Sequence, residues 1–261
     1  MRKILLFFFF FYRFLSFGQL QEDFTDGNFS QNPVWQGNTE SFLVNAAHQL
    51  QSNGPTITNT QLQLTTASQA AVDVSWEFWA QLNLATSSGN YADVFLLSDS
   101  TNLAGKNSGY FVRIGGTDDE VSLFRKDAGK TPVNIINGVD KTIASSTTNT
   151  VRVKVTRSVA GEWQLAADFS GTGTNYVLQG TTTDSTYRQA AYFGILIRYS
   201  SANSKKFYFD DIHIRDTKAP SLQAITRTGS RTLDVTFSEP VEPTTAEISN
   251  NYTIYPSAAH P

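Results

Sequence analysis

Apolar residues recur at every second position through most of this chain, and that period constrains its fold more than any other feature. A period of two sends alternate side chains to opposite faces of a strand, whereas a helix needs apolar residues three and four apart. The clearest run covers residues 74–84. Val74, Trp76, Phe78, Ala80, Leu82 and Leu84 fall on one face, and Ser75, Glu77, Gln81 and Asn83 on the other, where Trp79 is the one large aromatic. This predicts a long strand with one buried face. The same reasoning predicts strands over residues 91–97, 110–114, 121–125, 151–156, 163–169, 176–179, 192–199 and 207–214. Helical periodicity is nearly absent.

Turn chemistry separates these runs. Ser88-Gly89-Asn90, Asn107-Ser108-Gly109, Gly115-Gly116, Asn137-Gly138 and Gly171-Thr172-Gly173 supply residues that tolerate positive φ. Residues 151–157 and 162–168, joined across Ser158 to Gly161, form the clearest hairpin. Many antiparallel strands on short turns predict an all-β fold, an antiparallel jelly-roll β-sandwich. Residues 24–64 are less regular and are expected to supply edge strands and a long loop around Asn53-Gly54-Pro55. The Ser- and Thr-rich stretches 142–150 and 181–186 are expected to be loops.

The two ends differ from the middle. Arg2 and Lys3 precede a short apolar run over residues 4–12, and Ser16 and Gly18 are small residues ahead of a cut after Gly18. This is the three-part pattern of a secretory signal, and the apolar run is too short to span a bilayer. Residues 1–18 are therefore set aside from the fold, and the protein is expected to be secreted or held at the cell surface, with no membrane span. At the other end, Asp216 to Pro220 reads as a polar linker. Strand candidates follow at 222–226, 231–237 and 252–255, about half of what an Ig-sized sandwich of roughly 100 residues needs. Residues 19–215 are thus expected to form one domain and 216–261 a linker and the truncated start of another, with downstream domains missing.

Composition excludes several functions. The chain has no cysteine, so thiolate zinc sites, redox motifs and cysteine nucleophiles are ruled out. Its net charge is −3, and removing Arg2, Lys3 and Arg13 makes the remainder more acidic. A nucleic-acid partner is not expected, because phosphate neutralisation needs a concentrated basic face. No nucleophile elbow, zinc-binding helix or phosphate-cradling loop is present, and His48, His213 and His260 are far apart in sequence.

Two resemblances rest on short motifs. The opening Glu22-Asp23-Phe24-Thr25-Asp26-Gly27 with Trp35, the strand from Val74 to Ala80 and the closing Phe207-Tyr208-Phe209-Asp210-Asp211-Ile212 resemble a concanavalin A-like lectin/glucanase jelly roll. Asp216 with Pro220, and residues 233–241, resemble the first half of a bacterial Ig-like surface-protein domain. The whole order is similar to the N-terminal part of large secreted bacterial proteins that carry lamin-tail domains further on. The glucanases of the first family use a Glu-x-Asp-x-x-Glu strand, and here Glu77 is followed two residues later by Trp79. An enzyme is therefore not the leading expectation. Two carboxylates about 5–9.5 Å apart in an open groove would revive it.

Two constellations remain. Trp79 shares a face with Glu77, and a planar aromatic among polar groups can stack on the apolar face of a sugar ring. Arg113 shares a face with Phe111 on its strand, and Arg198 shares one with Tyr192 on its own. If these strands lie side by side, Trp79, Glu77, Arg113 and Arg198 line one sheet and bind a glycan or another cell-surface ligand. The alternative is a covered sheet, which would leave a structural spacer or adhesion module. Asp23 and Asp26 stand at the start of the domain, and Asp210 and Asp211 at its end. Domain termini often lie close together, and clustered carboxylates suit calcium. A structural calcium at this seam is the expected cofactor, as the resemblance also implies.

Overall fold

A computed structural model describes residues 20–218, 221–229, 232–238 and 248. The signal segment over residues 1–18 lies outside the described residues. In chain order the first strands are β1 (Leu20–Glu22), β2 (Trp35–Gly37), β3 (Phe42–Val44), β4 (Leu50–Ser52), β5 (Thr60–Ala67) and β6 (Val74–Leu82). Then come β7 (Tyr91–Ser98), β8 (Gly109–Gly115), β9 (Glu120–Lys126), β10 (Val133–Ile136), β11 (Asn149–Arg157) and β12 (Glu162–Asp168). The last are β13 (Val177–Thr183), β14 (Tyr192–Tyr199), β15 (Phe207–Asp216), β16 (Leu222–Arg227) and β17 (Leu233–Phe237).

The chain divides into two compact units, with one boundary between Thr217 and Lys218. The larger unit holds an eight-stranded sheet, β13-β12-β11-β6-β15-β4-β3 with β1 also paired to β15, and a seven-stranded sheet, β10-β9-β8-β7-β14-β5-β2. Every pairing is antiparallel. The all-β antiparallel sandwich expected from the alternation is the observed fold. Strand β6 shows why. Val74, Trp76, Phe78, Ala80 and Leu82 are buried, and every residue between them is partly exposed. The inward side chains of both sheets meet in one apolar core. Within it the rings of Trp76 and Trp163 stack at 5.7 Å.

The predicted hairpin is β11 and β12, closed by the Gly161 amide donating to Ser158 O at 3.0 Å. The irregular N-terminal region supplies β2 and β3, each three residues long and each at a sheet edge. Thr181 and Thr183, expected in a loop, instead extend β13, because β12 offers them partners from Gln164 to Glu162. The described part of the second unit is the β16–β17 hairpin. Its apolar side chains Leu222, Ile225, Leu233 and Val235 are exposed, as a two-stranded piece cannot cover a face by itself.

Candidate functional site

The outer face of the seven-stranded sheet is not simply solvated. Strand β7 is buried along its whole length. Its inward Ala92 and Val94 join the main core, while Phe95 points outward with Phe111 of β8 and Leu196 of β14 into a second apolar cluster. Leu103, from the connection between β7 and β8, completes that cluster. One glutamine on β5 holds this connection down. Gln63 Oε1 accepts the amides of Leu103 at 2.9 Å and Ala104 at 3.2 Å, and Nε2 donates to Thr101 O at 3.0 Å. Between the tethered connection, the sheet and the β9–β10 connection lies a pocket of about 290 Å³. Phe95, Phe111 and Leu196 form its apolar floor, and Gln61, Asp93 and Arg113 are polar members of its lining.

Asp93 and Arg113 stand directly opposite each other on β7 and β8. The guanidinium donates from Nε and Nη2 to the two carboxylate oxygens, each at 2.8 Å. This bidentate geometry is the strong form of the pair. The guanidinium lies 4.1 Å from the centre of the Tyr91 ring and 5.1 Å from that of Phe124. Burial pushes the Asp93 carboxyl up, and the hydrogen bonds and charge of Arg113 offset part of this. Burial also works against the Arg113 charge, and the Asp93 carboxylate more than reverses it. Lys126, at the end of β9, donates from Nζ to Leu103 O at 2.7 Å and lies 5.6 Å from the Phe95 ring. Burial holds its ammonium below the ordinary lysine value.

Of the residues singled out from the sequence, Arg113 lies in this pocket. Arg198 on β14 stands opposite Gln61 and Tyr91, both of which line it. Its Nε is buried and has no hydrogen-bond partner among the described residues. Trp79 and Glu77 are elsewhere. Their strand β6 belongs to the eight-stranded sheet, so the strands of Trp79, Arg113 and Arg198 do not lie side by side in one sheet. The alternation placed each residue on the outer face of its strand correctly, but pairing decides the sheet.

Around Trp79 the outer face is partly covered by the protein itself. A Cβ at Gly171 would come within 3.0 Å of Trp79 Nε1, so the glycine-rich β12–β13 connection rests on the indole. Asp168 organises that connection. Its Oδ1 accepts the amide and hydroxyl of Ser170 at 2.8 and 2.6 Å, and Oδ2 accepts the amides of Gly173 at 2.8 Å, Thr174 at 3.0 Å and Asn175 at 3.2 Å. The Ser170 hydroxyl and these amides hold the Asp168 carboxyl far below the usual carboxylate range. Arg152, opposite Trp79 on β11, pairs with Glu77 at 3.6 Å and with Asp211. Burial, with Glu77 nearby, pushes the Tyr176 hydroxyl up.

The four aspartates expected to hold calcium do not form one group. The domain ends do meet, since Glu22 of β1 pairs with Ile212 of β15. Each carboxylate is nonetheless committed locally. Asp23 accepts the amide and hydroxyl of Thr25 at 3.1 and 2.6 Å, and Asp26 accepts the amide and side-chain nitrogen of Asn28 at 3.0 and 2.8 Å. Asp210 accepts the Asp211 amide at 2.8 Å, and Asp211 turns to Arg152. A β-bulge causes that turn: three residue steps from Asp210 to His213 oppose two on β6, and Asp211 adopts a φ of 48°. No group of three or more His, Asp or Glu side chains suited to a metal exists among the described residues. Asp23, Asp26, Asp210 and Asp211 therefore form no ready-made metal-binding group among the described residues.

Sequence reasoning missed Asp93, Lys126, Gln61 and Gln63. A signal for Asp93 was available: it is the only charged residue in the otherwise apolar run from Tyr91 to Leu97. A charge inside a strand buried on both faces needs a partner, and the partner marks a site.

The architecture that carries this pocket is a lectin-like β-sandwich. No family model matches the chain, and no curated protein matches it. Among solved structures the chain is similar to the exoplasmic/lumenal domain of VIP36 in a Ca2+/Man-bound form, with TM-score 0.55 and 8% identity over 86% of this chain and 98% of that one. It is also similar to the carbohydrate recognition domain of Emp46p in a potassium-bound form, with TM-score 0.53 and 12% identity over 77% of this chain and 97% of that one. At such identities the likeness shows the fold alone, and function has to be argued from the site.

Proposed function

We propose that the larger unit is a non-catalytic carbohydrate-recognition module, and that the pocket on the outer face of the seven-stranded sheet receives the sugar. The observation that carries this is the buried, bidentate Asp93–Arg113 pair set beside an apolar floor. A sugar ring has an apolar C–H face and a rim of hydroxyls. Phe95, Phe111 and Leu196 suit the first. For the second, the Asp93 carboxylate retains lone pairs to accept hydroxyl protons, and Arg113 retains N–H groups to donate. The volume stands near the lower end of the ligand-pocket range of roughly 300–1,000 Å³, which suits one or two sugar units. The lectin-like fold supports the reading. Asp93 is the one carboxylate in the pocket lining and is engaged by Arg113, so the lining does not supply the carboxylate pair a glycosidase uses.

The signal-like N-terminus supports export, to the medium or the cell surface. The separate compact unit that includes the β16–β17 hairpin supports an Ig-like module following the first domain. No helix among the described residues is long and apolar enough to cross a membrane. The test is binding of the intact chain to a glycan array and to insoluble polysaccharides, repeated with Ala104→Trp. Ala104 is exposed and lines the pocket, so the larger side chain fills the opening without disturbing the core. At least a tenfold loss is expected. Undiminished binding by the variant would move the sugar elsewhere, and no binding by the folded parent would sink the reading.

A further inference from the structure

We propose that this pocket selects an anionic saccharide, one whose sugar carries a carboxylate or sulfate group; this rests on the glycan reading above. Positive charge is concentrated around the pocket. The chain as a whole has a net charge of −3, so a cationic lining is not a by-product of a basic protein. Yet the lining holds Arg113, Lys126 and Lys130 against one acid, Asp93. The bidentate pairing commits Asp93 to Arg113, and Asp93 acts on Lys126, as Asp127 outside the lining acts on Lys130, only through space, so three cations against one acid leave the lining with a net positive charge.

Neighbouring groups add to the imbalance. A Cβ at Gly129, itself in the lining, would stand 3.9 Å from Lys106 Cδ, so the stem of a third lysine runs along the same rim. Arg198 lies between Gln61 and Tyr91 with its buried Nε unpartnered among the described residues. The nearby acids are largely engaged. Asp127 pairs with Arg125 at 3.2 Å and accepts the Tyr187 hydroxyl at 2.7 Å. Asp99 accepts the Ser108 amide at 2.9 Å and acts only at a distance on Lys126.

Lys126 is the central group. Its ammonium has three donors, and one is used on Leu103 O. The remaining donors belong to a charge already stripped of much of its water, where an arriving anion gains more than it would at an exposed lysine. Ring hydroxyls on Asp93–Arg113 and an acidic substituent toward Lys126 and Lys130 would engage all four charged residues of the lining at once.

The experiment measures the intact chain against paired glycans on several backbones. Uronate oligosaccharides are set against their methyl esters, and sulfated oligosaccharides against their desulfated forms. The acidic member of a pair is expected to bind at least tenfold tighter, with an advantage that shrinks as salt is raised. The two arms show whether carboxylate or sulfate is the group recognised. Lys130→Ala, an exposed change, is expected to cost at least threefold more for the acidic member than for its neutral partner. Lys126→Met, checked for folding by circular dichroism, is expected to remove most of the preference. Equal or tighter binding of the neutral members would overturn the anionic inference and leave the glycan reading standing. Absence of binding to both halves of the panel would overturn both.

Discussion

The two outer faces of the sandwich treat an arginine in opposite ways. On the eight-stranded sheet Arg152 has two carboxylate neighbours, Glu77 and Asp211, and a glycine-rich connection lies over the Trp79 beside it. On the seven-stranded sheet Arg113 has one buried carboxylate and an apolar floor, with Lys126 and Lys130 in the same lining. The first face has satisfied itself from within. The second has an apolar floor and a lining in which three cations face one acid. Aromatic content alone points to the other face, where Gly171 of the β12–β13 connection lies against the half-buried Trp79.

The sharpest way to break this contrast is Arg113→Ala. It leaves Asp93 as a buried charge without its partner, and a loss of about 3–5 kcal/mol is expected. Urea titration should show it, and a variant within about 1 kcal/mol of the parent would mean that the pair is solvated rather than buried. Asp168→Ala comes next. It removes five or more hydrogen bonds to one connection, and a loss of about 2–3 kcal/mol is expected. Acrylamide quenching of tryptophan emission should rise as Trp79 is uncovered. Unchanged quenching, with Trp79→Phe as the reference, would mean that the connection does not cover the indole.

Proton linkage probes the seam where β1 joins the eight-stranded sheet. Glu22 is only 6% exposed, and burial raises its carboxyl to about 7 despite hydrogen bonds from Phe24 and Trp35. Asp210, on β15, is raised to about 6, again mainly by burial. A raised carboxyl binds its proton more tightly in the folded state. Its contribution is fully present below the unfolded values near 4 and is lost as pH rises through about 6 to 7. Glu22→Gln should therefore stabilise the protein by on the order of 1–2 kcal/mol at pH 8 and do little at pH 4. Melting curves of parent and variant that stay parallel across this range would refute it.

The smallest effects are the controls. Arg152→Ala is expected to cost less than about 1 kcal/mol, because the partner carboxylates remain partly exposed, at 21% for Glu77 and 40% for Asp211. That difference from Arg113→Ala is the energetic form of the contrast between the faces. Excess chelator should leave the melting temperature unchanged, since Asp23, Asp26, Asp210 and Asp211 are each occupied by local partners. A chelator-dependent drop of several degrees would return calcium to the seam.

Much of this was legible in advance. The in-and-out pattern of β6 and the β11–β12 hairpin follow from period-two alternation and turn residues, which act locally. A slip was legible too: the apolar phase moves by one between Phe209 and Ile212, and that slip is the bulge that aims Asp211 at Arg152. The partner of Asp93 was not legible, because Arg113 is 20 residues away and meets it only through the pairing of β7 with β8.

The sequence by itself determined an all-β chain, the inward members of its strands and the absence of thiol chemistry. Those properties depend on each strand's own period and on composition. The tertiary structure alone decided that β6 and β8 enter different sheets, so that Trp79 lies against Gly171 and Arg113 borders a pocket. The reason is physical: alternation specifies which side of a strand is buried, while the neighbours that share its face are chosen by long-range pairing and by the connections that fold back over it.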